Sequence, residues 1–222
     1  MRPITAYKPR PRQFIVAVEG FPLIVIAILA AFFMWIMGFV SGALVMLLVA
    51  GFIIYFFRNP ERVTPLENGL VVAPADGRIL SITKNVMAPL TGAASTKISI
   101  FMSVLNVHIN RFPITARVVD SSYVPGKFLV ASLDKASEFN ERNLLALEDE
   151  SGRQIVMVQI AGLIARRIVC YVKNGGFLRR GERFGLIRFG SRVDLYLPIS
   201  AEIKVKVGEK VRSGETVIGK FV

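Results

Sequence analysis

The sequence predicts a mainly β protein, a compact barrel or sandwich with barrel-sandwich-hybrid-like elements, joined to an N-terminal α-helical membrane hairpin. Three observations predict it. Residues 20–57 contain no charged side chain. Beyond Pro60 and Pro65, short apolar runs alternate with turns rich in Gly, Asp and Ser. Residues 192–198 alternate strictly, with Val193, Leu195 and Leu197 on one face of a strand.

The uncharged stretch is longer than one span requires, since about 20 residues cross a bilayer core. Gly38, Ser41 and Gly42 supply a turn that divides it into arms at 21–37 and 43–57. Residues 1–19 form a basic N-terminus with Arg2, Lys8, Arg10 and Arg12. Arg58 and Arg62 follow the second arm. The positive-inside rule then places both ends, and the domain at 58–222, on the cytoplasmic side of the cell membrane. Tyr55, Phe56 and Phe57 beside Arg58 suit the interfacial zone. One tilted helix, or a hairpin that only dips into the bilayer, fits the same letters.

The formal net charge of +12 and a pI near 10.3 call for a negatively charged partner. Anionic lipid headgroups meet that need, at about 1 kcal/mol per nearby Lys or Arg. Nucleic acid is not expected, because no recognition helix, zinc finger or aromatic RNA-binding motif is present. The single cysteine, Cys170, lies in the apolar run Ile168-Val169-Cys170-Tyr171-Val172 and reads as a small buried hydrophobe. One histidine and no cysteine cluster argue against a dedicated zinc site.

In the β domain, strands are expected at 70–73, 78–82, 97–105 and 155–161. Residues 144–147 and 155–160 form a hairpin through Glu150-Ser151-Gly152-Arg153, and 203–207 with 216–218 a second one. Residues 132–143 read as a short helix or loop. The segment 207–215 resembles the turn of biotinyl- and lipoyl-type domains, but no Met-Lys-Met or Asp-Lys-Ala turn stands there. Asp134-Lys135-Ala136 has those letters without hairpin patterning.

Three places carry chemistry. His108, in Asn106-Val107-His108-Ile109-Asn110-Arg111, is either a structural histidine at a strand end or a proton carrier near neutral pH. Asp76, in Pro74-Ala75-Asp76-Gly77, is either a turn aspartate or a carboxylate that orients a histidine. Gly190-Ser191 is either a bulge in a strand or a self-cleavage site. In the second reading the serine hydroxyl attacks the glycine carbonyl with His108 as base, and elimination then leaves a pyruvoyl group.

The motifs Phe56-Phe57-Arg58-Asn59-Pro60-Glu61-Arg62, Ala73-Pro74-Ala75-Asp76-Gly77, Ile100-Phe101-Met102-Ser103 to Asn110-Arg111, Asn140-Glu141-Arg142-Asn143, the run from Gln159 to Val169, and Arg183 to Arg192 occur in that order. Together they resemble the short, type A form of the phosphatidylserine decarboxylases over nearly the whole chain. The resemblance implies cleavage between Gly190 and Ser191, giving a β chain of residues 1–190 and an α chain of 191–222 from one precursor. It implies a pyruvoyl cofactor made from Ser191, which condenses with the serine amine of phosphatidylserine so that CO2 leaves and phosphatidylethanolamine forms. It carries the charge-relay aspartate and the serine to Asp76 and Ser191. It sets His108 at the first of the family's two histidine places, from which it, or another group, serves as base if the second is the usual one. Longer members have two histidines three apart, and Arg111 stands at the second place here. Arg111, Arg166 and Arg167 are candidates for the lipid phosphate or carboxylate. Another serine-headed lipid, or a non-catalytic membrane-tethered adaptor, are the alternative readings. The oligomeric state, a homo-oligomer included, is left open.

Overall fold

The computed structural model describes residues 14–126, 139–162, 167–188 and 190–222. The chain divides into two compact units, Met1–Glu61 and Arg62–Val222.

In the first unit, α1 (Phe21–Ile36) and α2 (Val40–Phe56) pack against one another. Pro22 sits in the first turn of α1, where its missing N–H costs nothing. Gly38, at φ +79°, ends the helix, and Phe39 N–H closes onto Met34 O at 2.9 Å. The buried positions are mostly small: Ala27 and Ala31 on α1, Ala43 and Ala50 on α2. Gly42 lets Met34 lie against the α2 backbone, since a Cβ there would stand 2.9 Å from its sulfur. Small residues at the seam allow close helix approach without any hydrophobic drive from water. The apolar segment Val18–Ile36 is long enough to cross a bilayer, whereas Val40–Phe56 is shorter. Among the described residues, Val18–Ile36 is thus the helix whose length and composition suit a membrane.

Apart from the helical residue Phe139, the regular elements described in the second unit are strands. In chain order the strands are β1 (Leu70–Val72), β2 (Gly77–Met87), β3 (Ala94–Met102), β4 (Ile109–Arg111), β5 (Ala116–Val124), β6 (Arg142–Glu148) and β7 (Gln154–Ala161). There follow β8 (Ile168–Cys170), β9 (Phe177–Leu178), β10 (Arg183–Ile187), β11 (Ser191–Pro198), β12 (Glu202–Ile203), β13 (Lys210–Val211) and β14 (Val217–Lys220). The main sheet runs β13-β2-β3-β11-β7-β6-β5-β9. It has two edges, so the architecture is an open, sandwich-like one and not a closed barrel. Two small sheets, β1-β14-β12 and β4-β10-β8, complete it.

β11 lies between β3 and β7 and pairs antiparallel with both. Val193, Leu195 and Leu197 are fully buried and share a core with Ile98, Ile100, Met157 and Phe184. On the opposite face of the sheet, Val156, Val158 and Ile160 pack with Leu144 and Ala146. Arg192 and Asp194 also face that way and form a two-pronged ion pair, both bonds 2.8 Å, with each side chain only 1% exposed. Gly77 opens β2 where its neighbour β3 comes close: a Cβ would meet Phe101 O at 2.1 Å.

Three expected elements differ. The strand at 97–105 stops at Met102, because Asn106 turns its side chain back onto Ser103. The hairpin of 203–207 and 216–218 shrinks to β12 against β14, while β13 crosses to pair with β2. Of the stretch 132–143, residues up to 138, including Asp134-Lys135-Ala136, lie outside the described residues, and Arg142 and Asn143 already belong to β6.

Candidate active site

The β4–β10 register decides which residues meet. Leu186 stands opposite Ile109 and Gly185 opposite Asn110. Ile187 N–H reaches His108 O at 3.4 Å. The chain that leaves β10 toward Ser191 therefore passes the imidazole. Gly190 N–H donates to His108 Nε2 at 3.4 Å. His108 Nδ1 lies 2.9 Å from Asn106 O, a carbonyl that only accepts. Both bonds require the same neutral tautomer, with the proton on Nδ1 and the lone pair of Nε2 aimed at the Gly190–Ser191 segment.

Asn106 holds this geometry. Its Oδ1 accepts from Ser103 N at 2.9 Å and from Ser103 Oγ at 2.8 Å, so the turn that presents its carbonyl is closed by its own side chain. Gly190 adopts φ +65°, and nothing lies within 4 Å of a Cβ placed there. The conformation, not crowding, asks for glycine at this position. Ser191 opens β11 opposite Met102 of β3 and Ala161 of β7. It is fully buried, and its Oγ donates to Met102 Sδ at 3.3 Å. Ser191, Gly190 and His108 are thus brought together, with Ser191 fully buried, His108 2% exposed and Gly190 half-buried.

Asp76 is held elsewhere. Its Oδ2 pairs with Arg62 Nη2 at 2.8 Å, and its Oδ1 accepts from Ser213 N at 2.8 Å. Arg62 also reaches Glu215 at 3.1 Å. The link to the imidazole is indirect: Ser213 Oγ approaches Ile109 O at 3.5 Å, and Arg111 N–H donates to Pro74 O at 2.9 Å. Asp76 therefore braces the turn against which β4 lies. Asp76→Ala would leave the Ser213 N–H unpaired and Arg62 with one carboxylate fewer. A loss of about 3 kcal/mol is expected, read as a lower urea midpoint for the Ser191→Ala chain in detergent.

The arginines divide. Arg111 is buried, with Nη1 on Gly181 O at 2.8 Å and its stem against Gly214. Arg167 is exposed, and its carbonyl accepts from Arg188 N at 3.2 Å, next to the strand that leads to Ser191. Arg166 lies outside the described residues. Among the described residues no cluster of three or more His, Cys, Asp or Glu could hold a metal ion.

Residues 49–219 match the family model described as phosphatidylserine decarboxylase. A protein of Geotalea daltonii is 52% identical over 204 residues, covering 92% of this chain and 95% of that one. A Nitrosomonas eutropha protein is 49% identical and covers 98% and 99%. A Magnetococcus marinus protein is 49% identical and covers 93% and 95%. Each of the three is named a phosphatidylserine decarboxylase proenzyme. The chain belongs to the phosphatidylserine decarboxylase family. It is a carboxy-lyase by that membership, which leaves the adaptor reading without support. The three site residues that meet at the head of β11 fall inside the part of the chain that matches the phosphatidylserine decarboxylase model.

A cavity of about 550 Å3 lies away from this site, lined by Arg153, Arg180, Asp149, Ile114 and Phe221 among others. β7 starts at Gln154, near the cavity, and ends at Ala161, beside Ser191. Eight residues of strand, about 23 Å, separate them. Arg180 ties down the chain there, donating to Leu70 O at 2.9 Å and Pro65 O at 2.6 Å.

Proposed function

We propose that this chain is a proenzyme that cleaves itself between Gly190 and Ser191, acquires a pyruvoyl group at position 191, and decarboxylates phosphatidylserine to phosphatidylethanolamine and CO2. The observation that carries the proposal is the placement of His108 Nε2 beside a left-handed glycine whose carbonyl precedes a buried serine.

The self-cleavage runs on this chain's own groups. His108 Nε2 takes the Ser191 Oγ proton as Oγ bonds to the Gly190 carbonyl carbon. The Gly190–Ser191 C–N bond then breaks, the freed Ser191 nitrogen takes a proton, and an ester remains. Loss of the Ser191 Cα proton expels the Gly190 carboxylate and leaves dehydroalanine. Its imine tautomer adds water and releases ammonia, which leaves the ketone. No redox partner is needed.

The residues present suit the group. The new terminus would sit at the start of a strand paired on both sides, largely buried beside the half-buried Gly190. Its carbonyl supplies the electron withdrawal that lets the lipid carboxylate depart as CO2. His108 Nε2 holds the proton that the substrate carbon receives afterwards. Arg167, with Arg166, is assigned to the lipid phosphate, because Arg111 is turned inward onto Gly181 O. Asp76 acts through the β4 turn. Arg10, Arg12 and Arg58 place the catalytic unit on the cytoplasmic side, beside anionic lipids.

Intact-mass analysis joined to a lipid decarboxylation assay tests the proposal. Active preparations should contain two pieces, 1–190 and 191–222, the second lacking its amino group. Hydroxylamine should trap the ester in fresh precursor. An uncut 24.5 kDa chain that still releases CO2 would refute it.

A further inference from the structure

The core face of the main sheet is mostly apolar, Thr96 opposite Leu197 apart, but one end differs. There three carboxamides are buried side by side: Asn110 and Gln159, each fully covered, and Asn143 at 8% exposure. They are bonded in one direction. Asn143 Nδ2 donates to Gln159 Oε1 at 2.9 Å, and Gln159 Nε2 donates to Asn110 Oδ1 at 2.8 Å. Asn110 Nδ2 then turns to Met102 Sδ at 3.8 Å, the sulfur that also receives Ser191 Oγ at 3.3 Å.

The register accounts for the alignment. Gln159 faces both Asn143 of β6 and Val193 of β11, two residues along from the Ala161–Ser191 pair. All of these side chains emerge on one face. The direction of the amides follows from the last member. A thioether can only accept, so Asn110 presents its NH2 to Met102 and its oxygen to Gln159. That choice sets Gln159, which in turn sets Asn143.

Burying three amides costs free energy unless each finds a partner, and apolar residues of like size would fill the space without that demand. What the amides add is a fixed place for Met102. Methionine has three rotatable bonds and settles into many shapes when unsupported. Held by Asn110, its sulfur offers Ser191 a definite but weak acceptor. The hydroxyl is aimed, yet gives up little when it leaves the sulfur for the Gly190 carbonyl. An amide or carboxylate oxygen in that place would hold the same hydroxyl back.

We infer that Asn143, Gln159 and Asn110 form a positioning relay that acts through Met102 to set the Ser191 hydroxyl for self-cleavage. The inference rests on the cleavage proposed above and concerns its rate.

The test is a time course of cleavage in freshly synthesised full-length chain, followed by intact mass, with thermal unfolding measured in the uncleaved Ser191→Ala background. Asn110→Leu and Gln159→Leu should slow cleavage by about 10- to 100-fold, the scale of a misplaced reacting group, without a matching fall in unfolding temperature. Gln159→Glu supplies a variant of the same shape. When protonated, its buried carboxyl donates to Asn110 as the amide did, so cleavage should stay near the wild-type rate at low pH. Relative to wild type it should fall as pH rises and the carboxyl ionises. The relay is overturned if the leucine variants cleave at the wild-type rate, or if cleavage declines only in step with unfolding temperature. It is also overturned if Gln159→Glu shows no pH dependence beyond wild type. Wild-type chain that remains whole, or is cut elsewhere, would instead remove the cleavage reading itself.

Discussion

Ser191→Ala is expected to remain one 24.5 kDa chain and to release no CO2 from phosphatidylserine. Alanine removes the only atom of residue 191 that can form the ester, so both steps fail together. The fold should survive. Ser191 contributes one hydrogen bond, to a sulfur, and its backbone pairing with Met102 and Ala161 does not involve the hydroxyl. Intact mass and a lipid assay on one preparation decide the matter. Any measurable cleavage at the same bond, or activity in the uncut chain, would count against Ser191 as the source of the cofactor.

His108→Gln carries the second large effect. Its side-chain oxygen can still accept from Gly190 N–H, so the local geometry is preserved. It cannot take up a proton. Self-cleavage should slow by about 10²- to 10⁴-fold, the usual contribution of a placed general base. The chain contains no other histidine to stand in. Whole precursor should therefore accumulate, while unfolding temperature changes little. Cleavage of His108→Gln at the wild-type rate would pass the role of base to another group. Because Arg111 stands at the place of the second histidine that the family resemblance implies, and is turned onto Gly181 O, we propose the imidazole at 108 for both proton transfers.

Much of the fold could be read along the chain, for physical reasons that differ by element. Val193, Leu195 and Leu197 announce β11 because one face of that strand is wholly core. The turn at 149–152 is legible from Glu150-Ser151-Gly152, and Asp149 closes it by accepting from Ser151 N and Arg153 N. β5 escaped notice since half its length is exposed, and Asp120, Ser121 and Ser122 interrupt the apolar period. The end of β3 was misplaced because Val104 and Leu105 prolong the apolar letters, while the break is made by Asn106 reaching back to Ser103.

The site was legible in its residues and not in its wiring. Gly190, Ser191 and His108 could be named, yet their meeting depends on β4 and β10 pairing across about 75 residues of intervening chain, which only non-local register supplies. Asp76 looked like a partner for the imidazole. Its carboxylate binds Arg62 and Ser213 N, and the second of these, 137 residues away, leaves no mark on the local sequence. Asn106 and the relay were missed as working parts. The available signal was slight: Gln159 stands as a lone amide within the apolar run 155–161.

The position of β11 has a consequence for how long the enzyme lasts. A cofactor made at residue 191 would be joined to the larger piece by no covalent bond after the cut. Yet the smaller piece is woven into two of the three sheets, with β11 in the middle of the main sheet, β13 on its edge and β14 against β1. It cannot slide out past its neighbours. The dissociation rate of the cofactor would then equal the unfolding rate of the whole domain, so retention is a matter of kinetic stability and not of binding affinity. Dilution would not strip the enzyme, and an apo form could not be reloaded from solution.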